Sequence, residues 1–261
     1  MSDFYFIHDR KAIAEYLKQH TDLHIYEIGD LDDFFWPHTM WFADAATAPF
    51  SAMCMLYAAQ SQPSLLALGA AGPLTHLLRS ITRVLPTWFY THITPGAELA
   101  FAEGYQLKPH GDHLKMSLRV PAMVAVVEET RAVRLGPENL AEVLNLYKVA
   151  YPGNWFDPRM LETREYFGIR EGGQLVSIAG VHVYSATQRV AALGNITTHP
   201  AHRKRGLAKI VTRKLCSSLL EKVDYIGLNV AADNQAAIGV YRKLGFEVVA
   251  PYREYAVAKV I

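Results

Sequence analysis

The sequence of 261 residues is poor in cysteine, with Cys54 and Cys216 as its two thiols. They lie far apart in apolar surroundings, so we expect two small buried side chains and no disulfide. This favours a reducing, cytoplasmic location. No close group of Cys and His residues predicts a metal site, and we interpret the segment HGDH at 110–113 as a hairpin turn around Gly-Asp.

Long apolar runs and an excess of charge are also missing. No run approaches the roughly 20 apolar residues of a membrane span, and the start MSDFYFIHDRK lacks the pattern of a signal peptide. The formal net charge is +1, so no overall field attracts a polyanion. We therefore expect no membrane partner and no nucleic acid partner. The length suits one large domain or two of ordinary size.

The C-terminal half contains a regular order of elements. A short strand at 131–135 is followed by a helical pattern around Leu140–Tyr147. Gly172-Gly173 and the segment SATQ predict two turns that join three antiparallel strands, the last ending near Thr198. A helix from Leu207, the buried strand YIGLNV, a helix over Asn234–Tyr241 and closing strands complete the order.

The N-terminal half repeats this order more weakly. LLALG, PLTHLLRSITRV, TWFYTHI, AELAFAEGY and HLKMSL alternate strand and helix patterns as the C-terminal segments do. We interpret this as a degenerate internal duplication, with chance similarity of common elements as the alternative. The predicted domains are residues 1–120 and 130–261, joined by an ordered, packed connector, VPAMVAVVEET, at 120–130.

The segment HPAHRKRGLAKIV at 199–211 places basic residues between a predicted strand and a predicted helix. Backbone N–H groups at a helix N-terminus bind phosphate. Gly206 lets the backbone approach an anion closely, and Ala208 leaves the first turn uncrowded. Arg203, Lys204 and Arg205 add positive charge. The pattern predicts a phosphate cradle, and a solvated charged turn is the alternative.

Two motifs carry a family resemblance. Arg203, Gly206 and Ala208 match an Arg-x-x-Gly-x-Ala signature, and a second pattern follows at the expected distance. Its members are Asn234, Ala237, Tyr241, Gly245 and Phe246. Residues 130–261 thereby resemble the GNAT superfamily of acyl-CoA-dependent N-acyltransferases. The resemblance implies an α+β fold of two tandem GNAT-like domains, each with a mixed, mostly antiparallel central sheet flanked by helices.

The resemblance further implies transfer of an acetyl group from acetyl-CoA to a primary amine of a small molecule or protein, without a metal. The implied catalytic residue is Tyr241, which would protonate the departing thiolate; ordinary aromatic packing is its alternative. Asn234 would bind the coenzyme or simply cap a helix. The implied partner is an amine acceptor, and the formation of a homodimer is left open. The implied coenzyme-binding residues are Ile196, Thr197, Thr198, Arg203, Lys204, Arg205, Gly206, Leu207, Ala208 and Asn234.

Other roles stay open at this level. Asp157, His199 and Glu254 are candidates for the general base, and none is assigned. In GNWFDP, Trp155 and Phe156 could line the acceptor site or anchor the loop, and Asp157 could attract an ammonium group. A non-catalytic acyl-CoA-binding regulatory module is the alternative function.

The N-terminal copy departs from the coenzyme-binding pattern. It has LGAAGPLTHLL where the cradle would lie, without arginine or lysine, and Pro73 removes an amide donor. We expect no coenzyme there, and a structural or acceptor-lining role instead.

Overall fold

A computed structural model describes residues 4–59, 61–125 and 130–260. Residues 126–129 of the predicted connector lie outside the described residues. The strands are β1 (Tyr5–Ile7), β2 (Thr39–Ala43), β3 (Met53–Tyr57), β4 (Ser64–Ala67), β5 (Trp88–Ile93), β6 (Tyr105–Leu118), β7 (Val133–Leu135), β8 (Tyr166–Glu171), β9 (Gln174–Ser185), β10 (Val190–Thr198), β11 (Tyr225–Ala231) and β12 (Phe246–Lys259). The α-helices are α1 (Arg10–Leu17), α2 (Ile25–Gly29), α3 (Ala71–Ile81), α4 (Leu140–Ala150), α5 (Leu207–Leu220) and α6 (Gln235–Arg242).

Contacts divide the chain into two units that are not continuous in sequence. Unit 1 comprises Met1–Lys115, Val230–Asp233 and Val248–Ile261, and unit 2 comprises Met116–Asn229 and Asn234–Glu247. The predicted domain division near residue 120 therefore does not coincide with the contact units. The reason is that Arg253–Ala258 of β12 pairs antiparallel with β5, a strand of the N-terminal half.

Unit 1 is built on a mixed sheet with the strand order β1-β2-β3-β4-β5-β12-β6. β4 and β5 are parallel neighbours joined by α3, and the pairs β1–β2, β2–β3 and β3–β4 are antiparallel. The apolar face of α3, which includes Leu74, Leu77 and Leu78, packs into the core of this unit. The unit thus has a strand–helix–strand crossover flanked by antiparallel strands.

Unit 2 has the same arrangement around a second crossover. The strand order is β11-β10-β9-β8-β7, and β10 and β11 are parallel neighbours joined by α5. The pairs β7–β8, β8–β9 and β9–β10 are antiparallel. Val211, Leu215 and Leu219 of α5 are buried, as their helical spacing predicts. The predicted α+β fold, with a mixed and mostly antiparallel sheet in each half, is confirmed.

The predicted hairpin turn at HGDH is wrong. β6 continues through residues 110–113, with Gly111 at a φ of 109° inside the strand. The backbone carbonyl of Asp112 accepts a hydrogen bond from the Ala232 N–H at 2.9 Å, which is compatible with an extended chain. A single glycine with positive φ therefore produces a local irregularity here and not a chain reversal. Both cysteines are free and buried, as expected.

Candidate functional site

In unit 2, β10 parts from its parallel neighbour β11 before β10 ends. The registered pairs run from Val190–Tyr225 to Leu193–Leu228, whereas β10 continues to Thr198. The last residues of β10 stay attached to β9, with Thr197 opposite Ile178 and Thr198 opposite Ser177. The edge of β10 at Ile196, Thr197 and Thr198 thus lies beyond the described pairing with β11. The family resemblance implies that the pantetheine arm of the coenzyme would bind along this edge.

A bulge marks this point of β10. The register with β9 shifts between Gly194 and Thr197, and Asn195 has a φ of 55°. Asn195 is 2% exposed, and its carbonyl accepts a hydrogen bond from the Tyr147 hydroxyl at 2.9 Å. The Asn195 side-chain amide donates to the Tyr166 hydroxyl at 3.1 Å. These bonds hold a backbone conformation that asparagine tolerates better than most residues.

The Asn195 side-chain oxygen has no hydrogen-bond partner among the residues that the structure describes. Oδ1 is buried and accepts no hydrogen bond from any described residue. Asn229, which follows Leu228 on β11, also has a buried Oδ1 without a described partner. Sequence reasoning missed both side chains. The pair Gly194-Asn195 within an apolar strand is the signal that could have indicated a bulge.

The basic loop leads directly into α5. Lys204 and Gly206 have φ values of 63° and 77°, and Gly206 occupies the N-cap position of the helix. No side chain of a described residue caps this end, and the Ile210 N–H donates to the Gly206 carbonyl at 3.2 Å. The backbone N–H groups of the first turn therefore have no partner within the helix, and an anion is the ligand that this end can bind.

The three basic side chains of the loop differ in their contacts. Arg203 donates from Nε to the Thr198 carbonyl at 3.1 Å, which fixes the loop to the end of β10. Arg205 forms a two-bond ion pair with Glu171, at 2.7 and 2.9 Å. Lys204 forms no ion pair with a described residue. Of the three predicted phosphate ligands, Lys204 thus has its charge available, whereas Arg205 already shares its charge with Glu171.

The residues that flank the cradle come from α5 and α6. Leu207 is buried and anchors the first turn of α5, and Ala208 is half-buried behind it. The Asn234 side chain accepts a hydrogen bond from the Ala237 N–H at 3.1 Å, which is the helix-capping geometry.

Tyr241 lies on α6 and is 8% exposed. Its ring lies 6.0 Å from that of Phe246, and its hydroxyl forms no hydrogen bond with a described residue. Burial, with Tyr151 and Cys216 nearby, raises the pKa of Tyr241 above its usual value. The hydroxyl thus keeps its proton at neutral pH, as a proton donor must.

In the loop after α4, some side chains pack against the core of unit 2 and others are exposed. Phe156 packs at 5.1 Å from Tyr147 and 6.0 Å from Tyr166, whereas Trp155 is 40% exposed. The Asp157 carboxylate accepts from Arg159 at 2.6 Å, and this hydrogen bond lowers the pKa of Asp157. Phe156 therefore anchors the loop, and Asp157 already has a cationic partner.

The other two candidate bases are also engaged. His199 accepts a hydrogen bond from the Ala201 N–H through Nδ1, at 3.3 Å. Glu254 belongs to unit 1, where it accepts hydrogen bonds from the Tyr90 and Tyr252 hydroxyls. These contacts single out none of the three as a general base.

The described residues contain no group of three or more His, Cys, Asp or Glu side chains arranged to hold a metal ion. Among the same residues, no α-helix combines the length and the apolar character that a membrane crossing requires.

Comparison with known proteins agrees with this geometry. Residues 140–246 match the model of the acetyltransferase (GNAT) family. N-alpha-acetyltransferase RimI of Mycobacterium tuberculosis is 35% identical over 91 residues, which are 34% of this chain and 56% of that protein. Mycothiol acetyltransferase of Mycolicibacterium vanbaalenii is 28% identical over 192 residues, 65% of this chain and 63% of that protein. The matches thus span less than two thirds of either relative.

A solved structure extends the similarity to both halves of the chain. A tandem GNAT protein from the clavulanic acid biosynthesis pathway has a TM-score of 0.57 and 16% sequence identity. The similarity covers 98% of this chain and 98% of that one. At this identity, the comparison supports the fold of the whole chain.

Proposed function

We propose that this chain is an acetyl-CoA-dependent N-acetyltransferase acting on a primary amine, because residues 140–246 match the model of the acetyltransferase (GNAT) family. The observation that carries the proposal is the uncapped N-terminus of α5 beside the diverging end of β10. The first feature suits the pyrophosphate of coenzyme A. The second leaves a strand edge along which the pantetheine amides can pair.

In the proposed reaction, the neutral amine nitrogen bonds to the carbonyl carbon of the thioester, and the carbon–sulfur bond breaks. The departing thiolate takes the hydroxyl proton of Tyr241. The proton that the amine loses returns to Tyr241 through water, so the enzyme is restored. Protonation of the leaving group by a positioned acid is the contribution assigned to Tyr241.

Residues of the coenzyme site divide into backbone and side-chain ligands. The first turn of α5, from Gly206 to Ala208, would supply N–H groups to the pyrophosphate, and Lys204 would supply a positive charge. Arg203 would hold the loop against Thr198. Arg205 would act through its ion pair with Glu171, which fixes the shape of the loop. Ile196, Thr197 and Thr198 would bind the pantetheine arm through their backbone.

An acceptor screen tests the proposal. The full chain is incubated with acetyl-CoA and a panel of small amines and peptides with free N-termini, and the released thiol is measured. We expect thiol release that depends on one class of amine, together with an acetylated product in the mass spectrum. Saturable binding of acetyl-CoA without thiol release across the panel would instead show a non-catalytic acyl-CoA-binding module.

A further inference from the structure

His182 lies at a bulge of β9. Its neighbours Val183 and Val181 pair with two consecutive residues of β10, Ala192 and Leu193. The register thus contains one extra residue on β9, which is His182. A bulge redirects a side chain, and bulges are frequent beside active sites. The direction of the His182 ring therefore indicates what this bulge does.

The imidazole ring of His182 covers Gly194 of β10. A Cβ added to Gly194 would lie 1.6 Å from His182 Cδ2 and 2.4 Å from Nε2, so any side chain here would displace the ring. Gly194 is not among the glycines with positive φ, and close approach of the ring is what requires a glycine at this position. His182 is half-buried, so part of its surface is accessible to solvent.

The ring lies at the point where β10 and β11 separate. The last residue of β10 that is registered with β11 is Leu193, and Gly194 follows it directly. The edge proposed for the pantetheine arm starts at Ile196, two residues further along the strand. A strand rises about 3.3 Å per residue, so Gly194 lies within about 7 Å of Ile196. The His182 ring is therefore at one end of the edge along which the thioester would bind.

The proposed acid, Tyr241, belongs to the other end of this edge. Thr197 Oγ1 donates to the Ala150 carbonyl at 3.3 Å, which attaches the end of α4 to β10. Burial and the nearby Tyr151, which follows Ala150, raise the pKa of Tyr241. Tyr151 thus connects Tyr241 to the Thr197 end of the edge, whereas His182 lies at the end where the strands separate. Acyl transfer to an amine uses both a base and an acid.

A second polar group lies on the same face of the sheet as the His182 ring. Leu193 and Leu228 are paired in parallel and share one face. The next residues on the two strands, Gly194 and Asn229, therefore lie on the other face, which the His182 ring covers. Asn229 Oδ1 is buried and accepts no hydrogen bond from a described residue. An N–H group is the partner that such an acceptor lacks, and a primary amine carries two.

From these contacts we infer that His182 is the general base of the acetyl transfer, an inference that rests on the proposed function. Neutral His182 accepts the proton that the amine nitrogen loses as it bonds to the thioester carbon. The carbon–sulfur bond breaks, the thiolate takes the Tyr241 proton, and the imidazolium proton passes through water to the Tyr241 phenolate. A neutral imidazole can donate from one nitrogen to a neighbouring group and still accept this proton at the other.

Substitution and chemical rescue test this role, with the amine that the acceptor screen identifies. His182→Gln should lower the single-turnover rate of acetyl transfer about 10²–10⁴-fold, the typical contribution of a positioned base. Its affinity for acetyl-CoA, measured by calorimetry, should change little. His182→Ala should lose as much activity, and added imidazole should restore part of the rate because the small side chain leaves room for it over Gly194. His76→Gln, at an exposed position of α3, should keep full activity.

A third variant moves the ring without removing it. Gly194→Ala places a methyl group where the ring lies, so His182 has to shift. The single-turnover rate should fall by up to about 10²-fold, as for a misplacement of about 1 Å. An unchanged rate in Gly194→Ala would contradict the inference even if both His182 variants fail to fold.

The pH profile separates a base from a packing residue. The rate should depend on one ionisation that stays at the same pH for two acceptor amines with different pKa values of their own. His182→Gln should lose this ionisation, and His76→Gln should keep it. An ionisation that persists in His182→Gln would assign the base to another group.

The two proposals fail separately. Absence of thiol release by the unaltered protein across the amine panel would overturn the proposed function, and the role of His182 with it. An active unaltered protein together with a fully active His182→Gln variant would overturn the role of His182 alone.

Discussion

At the scale of single residues, Tyr241 separates catalysis from binding. Tyr241→Phe removes the hydroxyl and keeps the ring beside Phe246, so the fold and coenzyme affinity should change little. We expect kcat to fall by about 10²–10⁴-fold, the typical contribution of a positioned acid. Steady-state kinetics should show kcat and kcat/KM falling together.

A matched control is Tyr225→Phe, at a tyrosine that is 40% exposed at the start of β11. It should retain full activity. If the Tyr241 variant kept a normal kcat while chemistry was rate-limiting, Tyr241 would be a packing residue without a catalytic role.

Substitutions at Asn195 test whether its positive φ is what stabilises the bulge of β10. Asn195→Gly loses the hydrogen bond to Tyr166 but adopts the φ of 55° without strain. Asn195→Ala loses the same hydrogen bond and, in addition, has to adopt a φ that is unfavourable for alanine. Urea unfolding should show the alanine variant to be less stable than the glycine variant by about 1–2 kcal/mol.

The same pair of substitutions at Asn229 is the control. Asn229 is not among the residues with positive φ, so there the glycine variant should be the less stable of the two. Equal stability of the two Asn195 variants would show that the backbone conformation is not what asparagine supplies at this position.

At the scale of secondary-structure elements, the N-terminus of α5 is tested at Gly206. Asp and Asn both tolerate a positive φ, and a Cβ at Gly206 meets no atom within 4 Å. Gly206→Asp should weaken coenzyme A binding at least about tenfold more than Gly206→Asn, because its negative charge repels the pyrophosphate. Calorimetric titration with coenzyme A measures both variants.

Gly173→Asp provides the control for backbone strain. Gly173 has a φ of 80°, lies in the β8–β9 hairpin and likewise has open space around its Cβ position. This variant should bind coenzyme A as the unaltered protein does. Equal affinities of the Asp and Asn variants at Gly206 would rule out an anion at this helix end.

At the scale of the whole molecule, we predict one coenzyme A per chain. The corresponding helix of unit 1, α3, follows Ala70 without a side-chain cap, but Pro73 lacks an N–H, and its first turn contains no basic residue. Calorimetry should therefore give a stoichiometry of one. Two equivalent sites per chain would contradict this difference between the units.

Because the C-terminal segment Val248–Ile261 belongs to unit 1, we predict that a fragment without the N-terminal half aggregates. A chain of residues 130–261 contains Arg253–Ala258 of β12 but lacks β5, its antiparallel partner. The unpaired strand edge should make this fragment aggregate, whereas the full chain stays soluble. Size-exclusion chromatography of both proteins measures the outcome, and a monomeric, folded fragment would contradict the expectation.

Local sequence was enough to predict much of unit 2 and the candidate coenzyme loop. The start of α5 at Leu207, the hairpin at Gly172-Gly173 and α6 before Gly245 all lie where the sequence predicts them. Glycine conformations and helix N-termini depend on a few neighbouring residues, so their signals are contained in short segments. The fold class was implied by the resemblance of the motifs in these segments to the GNAT superfamily.

Contacts between distant residues were decided by the tertiary structure alone. The pairing of β12 with β5, the bonds that Tyr147 and Tyr166 make to Asn195, and the approach of Lys115 to Glu27 join residues far apart in the chain. No periodicity within a segment encodes which distant strand will be its partner. The sequence by itself determined most of the elements and the position of the basic loop before α5, because these depend on neighbouring residues. Long-range packing determined the unit boundaries and the buried charges of unit 1.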